Sequence, residues 1–455
     1  MQELRALAAT GILGSGFKME SFEKGLSWKP DFIGCDAGTT DFGPYFLGSG
    51  ESHFSDDAIK RDLRLILLGA QKNRIPAIIG SAGTSGADTQ VEHTVRILQE
   101  IAGAENLHFR LGVIYSEIQK EYLLEMIRKN RCSPLDPAFP LTEEIVQKSV
   151  RIVGLAGAEP FMECLDNGCR VIIAGRSSDT SVYAALPLKM GLPPAPVWHA
   201  AKILECGAAC VEQRQYPDCM FASIDAEGFC IEPPNSDYRC TPVSVASHML
   251  YESASAYELV EPSGVLDTRQ ASYQPLTPRS VRVAGGLFEP AEKYSIKIEG
   301  VQLAGYQSII IGGVRDPVIL RQLDSWLEGM EQKIHARIRS IYGEMIKQKY
   351  SLLFRIYGRN AVMAELEPML DVGHEVGILI EILADTEALA RSIATAAGHI
   401  ALHYPVPEWS GLITGLALPH SPAEIFKGPM YEFNMNHVVL PESYRDIFSI
   451  EYQEI

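Results

Sequence analysis

Residues Ile75–Ile101 read IPAIIGSAGTSGADTQVEHTVRILQEI. The stretch divides into a short apolar run (Ala77–Gly80), a run of small residues (Ser81–Asp88) and an amphipathic run (Thr89–Glu100). It predicts a buried strand, a loop and a helix. Gly83 and Gly86 let the loop turn backbone N–H groups toward a ligand with no Cβ in the way. Ser81, Thr84 and Ser85 add hydroxyls. The helix points its partly positive end at the same place. The reading is a pocket for an anion: a phosphate, a carboxylate or an oxyanion. The plainer alternative is a tight turn that needs small residues. The loop is not a Walker loop, since no Gly-Lys-Ser/Thr follows, and it lacks the G-x-G-x-x-G of dinucleotide folds.

The same pattern recurs on both sides. Apolar Leu7–Leu13 runs into Gly14-Ser15-Gly16-Phe17, and Asp31–Cys35 runs into Asp36–Tyr45. His108–Tyr115 leads to Ser116-Glu117, and Arg170–Ala174 leads to Gly175-Arg176-Ser177-Ser178-Asp179. Stretches of helical period lie between them, as at Asp57–Ala70. The repeated order predicts an α/β fold with a mostly parallel, doubly wound sheet. Strand exits then share one edge, where ligands bind in such sheets. From Cys210 to Gln274 the pattern weakens and prolines punctuate it. Beyond it strands come in runs, with a long amphipathic helix at 318–348 and another at Thr386–His403. This predicts a C-terminal α+β domain of ferredoxin-like character. The expected domains are 1–278, carrying the ligand rim, and 279–455.

Bulk properties narrow the class. With 455 residues, two or three domains are expected. A hydrophobic share of 46% and a charged share of 21% suit a globular enzyme. A formal charge of −17 with no basic stripe argues against nucleic acid and against anionic membranes. No run of apolar residues is long enough to predict a membrane span, and the N-terminal stretch does not read as a signal peptide. Nine cysteines without a C-x-x-C pair fit free thiols in the cytoplasm, and no metal ligands are assigned to them.

Asp36 and Asp41 flank Gly38-Thr39-Thr40. Two carboxylates on one short loop can divide acid and base work or hold a hard cation such as Mg²⁺; otherwise they shape a turn. Arg176 offers a planar fork that matches a carboxylate or phosphate. Asp179 belongs to the site or caps the next helix. The candidate catalytic residues are therefore Asp36, Asp41, Arg176 and Asp179. Ligand contacts are expected from Gly14, Ser15, Gly16, Thr39, Thr40, Ser81, Gly83, Thr84, Ser85, Gly86, Ser177 and Ser178. Glu117 either caps a helix or reaches the site. The absence of a G-x-S-x-G elbow disfavours serine hydrolase chemistry.

In order and spacing, Gly14-Ser15-Gly16-Phe17, the Asp36 loop, GSAGTSGAD, Gly175–Asp179 and Glu205-Cys206-Gly207-Ala208 resemble the acyclic terpene utilisation AtuA family. The part from His374-Glu375-Val376-Gly377 to Gly428–Phe433 resembles the small ferredoxin-like domain that accompanies AtuA proteins. The resemblance covers nearly the whole chain. It implies a role in breaking down citronellol-type terpenes, whose intermediates are branched acids carried as CoA thioesters. Residues and resemblance together lead us to expect a lyase of the hydro-lyase type acting on a small carboxylate or its CoA thioester. The alternatives are a non-catalytic subunit that binds an acyl-CoA or metabolite, and a metal-dependent lactone or thioester hydrolase. A homo-oligomer is expected.

Overall fold

The apolar run after Pro76 forms the strand Ala77–Ile79, and the helix after the small-residue loop spans Asp88–Glu105. A computed structural model provides the coordinates and describes residues 3–39, 41–252, 254–369, 371–406 and 414–455. Ala77–Ile79 lies between Phe32–Cys35 and Val171–Ala174, parallel to both. Leu4–Ala8 and Arg110–Tyr115 extend the parallel run to five strands. Side chains alternate across these strands. Ile78 therefore enters one core with the helices Ala158–Asp166, Ser181–Lys189 and Pro194–Leu204. Ala77 and Ile79 enter another with Asp56–Asn73 and Asp88–Glu105. Burial on both faces explains why these strands read as unbroken apolar runs.

The sheet as a whole is mixed. Ten strands share it, and the flanks are antiparallel. Met220–Ile224 pairs antiparallel with Leu4–Ala8, and Gly228–Glu232 and Val281–Ala284 follow. On the other side Ser449–Glu454 pairs antiparallel with Arg110–Tyr115. The class is thus mixed α/β, and the expected parallel arrangement holds across the centre only. The reason lies where the sequence pattern weakened. Residues 220–232 form a hairpin whose turn is tied by the Asp225 carboxylate, which accepts the N–H groups of Glu227 and Gly228. A hairpin return is antiparallel by construction.

The chain divides into two compact units. The first holds the chain up to Gln302 and again from Phe433 to Ile455; the second holds Leu303–Glu432. The boundary expected at 278 falls inside the first unit, where Val281–Ala284 belongs to the ten-stranded sheet. In the second unit, Val376–Ala384 pairs antiparallel with residues 306–314 and with Tyr350–Tyr357. It buries every second side chain. Helices Leu323–Tyr342 and Glu387–Leu402 cover it with Trp326, Met330, Ile334, Ile393 and Ala397. The helix expected at 318–348 is broken at Gln322 (φ −124°) into Pro317–Arg321 and Leu323–Tyr342. Part of the strand expected at Gly411–Leu418 lies outside the described residues. Among the described residues no helix is long and apolar enough to cross a membrane.

Candidate functional site

The strand exits of the parallel run lie side by side, joined by hydrogen bonds from loop to loop. Leu13 N–H donates to the Asp36 carbonyl (2.8 Å), Ala37 N–H to Gly80 (3.0 Å) and Thr39 N–H to Thr84 (3.0 Å). Ser81 N–H donates to Gly175 (3.1 Å) and Arg176 N–H to Gly86 (3.1 Å). Ser116 Oγ reaches the Arg176 carbonyl at 2.9 Å. Gly86 makes this approach possible. A Cβ there would lie 2.0 Å from Arg176 N, and its φ is +66°. One expected contact, Thr40, lies outside the described residues.

The loop does not present the row of free N–H groups expected of it. The N–H groups of Ser81 and Ala82 bond the neighbouring carbonyls of Gly175 and Ala174. Those of Ser85 and Ala87 donate to Gln90 Oε1 (3.3 and 3.0 Å), and Asp88 N–H donates to Glu117 Oε1 (3.0 Å). Glu117 is therefore a cap, also held by Arg151 at 3.3 Å. At the first loop, the N–H groups of Gly14 and Gly16 both donate to Asp62 Oδ2 at 2.9 Å. The chain's own carboxylates occupy the places foreseen for an anion. The hydroxyls are engaged as well. Ser81 Oγ accepts from Ser177 N–H (3.2 Å), Ser85 Oγ donates to Gln90 (3.0 Å) and Ser15 Oγ to the Ile12 carbonyl (2.6 Å). Thr84 is buried and its Oγ1 accepts from His53 N–H at 3.4 Å. Gly83 turns at φ +74° against Gln90.

Charge gathers around Arg176. The side chain is buried, with Nε 3.3 Å from Glu299 and Nη1 3.7 Å from Asp179 and 3.5 Å from Ser81 Oγ. Two carboxylates already match the guanidinium, so it is not an open anion anchor. Asp36 is buried; Oδ2 accepts from Gly38 N–H at 3.0 Å and Oδ1 has no partner. Burial, helped by the charge of Asp179 and opposed by Arg176, holds its carboxyl well above the usual range. The Asp179 side chain is 26% exposed. Burial pushes its carboxyl to about 6 against the pull of Arg176. It does not cap the helix Ser181–Lys189, whose N-cap position is Thr180. Ser178 and Thr180 both donate to Glu261, whose carboxyl burial pushes up to about 7. Asp41 is exposed, its N–H held by Thr39 Oγ1 at 3.1 Å.

Beside this centre is a cavity of about 370 Å³. Gly11, Ile12 and Ser15 line one side; Cys206, Ala209, Arg214, His248 and Tyr251 line the rest. Burial raises the Tyr251 phenol, and Glu252, Cys206 and Asp41 add to the rise. Lys202 and Glu205, both buried, form an ion pair next to Cys206. Burial works against the Lys202 ammonium, and Glu205 more than offsets it.

Residues 49–421 match the family described as Acyclic terpene utilisation family protein AtuA. The chain belongs to the AtuA family. No curated protein and no solved structure matches it. The family description places the chain in metabolism. The AtuA match takes in the 81–88 and 175–179 loops and the cavity residues from Cys206 to Tyr251, while Gly14–Gly16, Asp36 and Asp41 precede it. Four polar residues at this candidate site, Glu299, Glu261, Lys202 and His248, escaped the reading of the sequence. One signal was there: Lys202 and Glu205 are the lone charges in PAPVWHAAKILECGAAC, and charge inside an apolar helix is either paired or functional.

Proposed function

We propose that this AtuA-family chain is an enzyme that adds water to, or removes it from, a small branched carboxylate or its CoA thioester. One arrangement carries the reading: Asp36 feels the charges of both Asp179 and Arg176, Arg176 pairs with Asp179, and the two carboxyls differ in exposure, Asp36 at 2% and the Asp179 side chain at 26%. Two carboxyls held apart in this way divide acid and base work. Asp36, buried and with its carboxyl held well above the usual range, is the acid. Asp179, partly exposed and ionised at neutral pH, is the base. Glu299 fixes Arg176, and Arg176 keeps Asp179 charged. Arg214 on the cavity wall offers the ligand's carboxylate or phosphate a planar partner. The family's link to acyclic terpenes supports a branched substrate.

The test is incubation with branched 2-enoyl-CoA thioesters and the matching free acids in ¹⁸O-water, followed by mass spectrometry. One ¹⁸O per product is expected. Asp179→Asn and Asp36→Asn should each slow the reaction by about 100-fold or more with circular dichroism unchanged. Wild-type rates in both variants would sink the reading. A second reading, a non-catalytic subunit that binds such a metabolite, is favoured by the inward use of the rim N–H groups and by the double pairing of Arg176. It predicts tight binding without ¹⁸O uptake, undisturbed by Asp36→Asn.

A further inference from the structure

Three ligand-type side chains meet at the cavity wall. The Glu205 carboxylate, the Cys206 thiol and the His248 imidazole each place a donor atom within 4.8 Å of the other two. Glu205 and Cys206 follow the apolar helix Pro194–Leu204, and His248 ends the helix Pro242–His248. His248 is 6% exposed, and its Nε2 has no hydrogen-bond partner. A buried polar atom left unpaired costs about 1–3 kcal/mol, so this nitrogen calls for an occupant. Lys202 holds Glu205 in place. Cys206 and His248 both line the cavity.

We propose that Glu205, Cys206 and His248 form a binding site for a divalent cation of the Zn²⁺ type, with a fourth position open to the cavity. The donor set decides the class. Thiolate, imidazole and carboxylate suit Zn²⁺, and three protein ligands with one open position is the pattern of reactive rather than structural zinc. Mg²⁺, the cation first expected near Asp36 and Asp41, takes oxygen ligands. Among the described residues, Asp36 and Asp41 belong to no such group of three. Metal–ligand bonds of about 2.0–2.3 Å put tetrahedral donors roughly 3.5 Å apart, so small side-chain rotations close the site. On binding, the Cys206 S–H bond breaks, a metal–sulfur bond forms and the proton leaves to solvent. The Cys206 thiolate and the Glu205 carboxylate then balance the cation's two charges. The site stands independently of the proton chemistry proposed for Asp36 and Asp179.

The experiment uses the full-length protein, stripped with a chelator and titrated with Zn²⁺ against a chromophoric competitor, then with Co²⁺. One equivalent should bind, and Co²⁺ should give a thiolate-to-metal charge-transfer band. Cys206→Ser should abolish the band, and Cys206→Ser and His248→Gln should each weaken Zn²⁺ binding by about 100-fold or more. Cys132→Ser, at a cysteine outside the group, should change neither. In the wild-type chain Zn²⁺ should also protect Cys206 from iodoacetamide, read by peptide mass. That arm needs no variant to fold. Absence of the band, Zn²⁺ binding unchanged in both ligand variants, or Cys206 alkylated equally with and without Zn²⁺ would each overturn the proposal.

Discussion

Glu261 is 3% exposed, with Oε1 accepting from Ser178 and Thr180 and Oε2 unpartnered. Burial lifts its carboxyl from 4.5 to about 7, with Asp179 and Glu159 adding to the rise. An acid raised in the folded state supports stability fully below its unfolded value, and that support is lost as pH climbs through the folded one. The window is therefore pH 4.5 to 7, and the loss is about 3 kcal/mol. Glu261→Gln cannot ionise. Between pH 5 and pH 8 the wild type should lose Tm relative to this variant, as calorimetry at the two pH values would read; parallel changes in both proteins would refute the assignment. Arg176 poses the opposite case. Arg176→Gln strands Glu299 with only Lys297, at 2.9 Å and itself partly exposed. The expected cost is about 3–5 kcal/mol. Adding Glu299→Gln should recover part of it, because the stranded charge is gone. Urea unfolding of the two single variants and the double variant measures the coupling, and strict additivity would contradict it.

Gly86 and Gly103 bracket the element that organises the sheet centre, and they should respond to alanine in opposite ways. At Gly86 a Cβ meets the Arg176 backbone at 2.0 Å, and φ is +66°. Gly86→Ala should cost roughly 1–3 kcal/mol or more and pull the 175–179 loop out of place. Gly103 is exposed within the helix Asp88–Glu105, with nothing within 4 Å of a new Cβ. Gly103→Ala should stabilise by about 0.5–1 kcal/mol. Thermal melts decide both, and a stabilised Gly86→Ala would contradict the close approach. The same loop marks how far sequence reading reaches. Strand, loop and helix were legible because a short apolar run and a 3.6-residue period leave little choice. The destination of the loop's N–H groups was not. Asp62 caps the Gly14–Gly16 turn from 48 positions away, and Glu117 caps Asp88 from 29. Gln90 was closer to hand, since a Gln at the third helical position can reach back to the backbone N–H of the N-cap residue, here Ala87. The antiparallel hairpin at 220–232 was missed because its strands are short and its turn rests on one aspartate.

The largest feature of the chain is the excursion from Leu303 to Glu432. Alternation and amphipathic helices made an α+β unit legible near the C-terminus. The return of residues 433–455 to the first unit was not, because pairing between strands distant in sequence leaves no local mark. The ends of the excursion are neighbours within the first unit. Asn434 Nδ2 lies 3.3 Å from Gln302 Oε1, and a Cβ on Gly300 would touch Met435. Each unit buries its own apolar cluster, the second around Trp326 and Ile380 and the first around Phe161, Trp198 and Leu63. Every residue assigned to the reaction or to the metal lies in the first unit. Segments whose ends meet and which carry their own core are those that chains tolerate losing. Replacing 303–432 by a short glycine linker should therefore leave a chain that unfolds in one cooperative transition and still binds one equivalent of Zn²⁺ with the Co²⁺ thiolate band. A truncated chain that unfolds without cooperativity would show that the first unit depends on the second for its core. A cooperative chain that binds no metal would show that the Cys206–His248 geometry needs more than the first unit supplies.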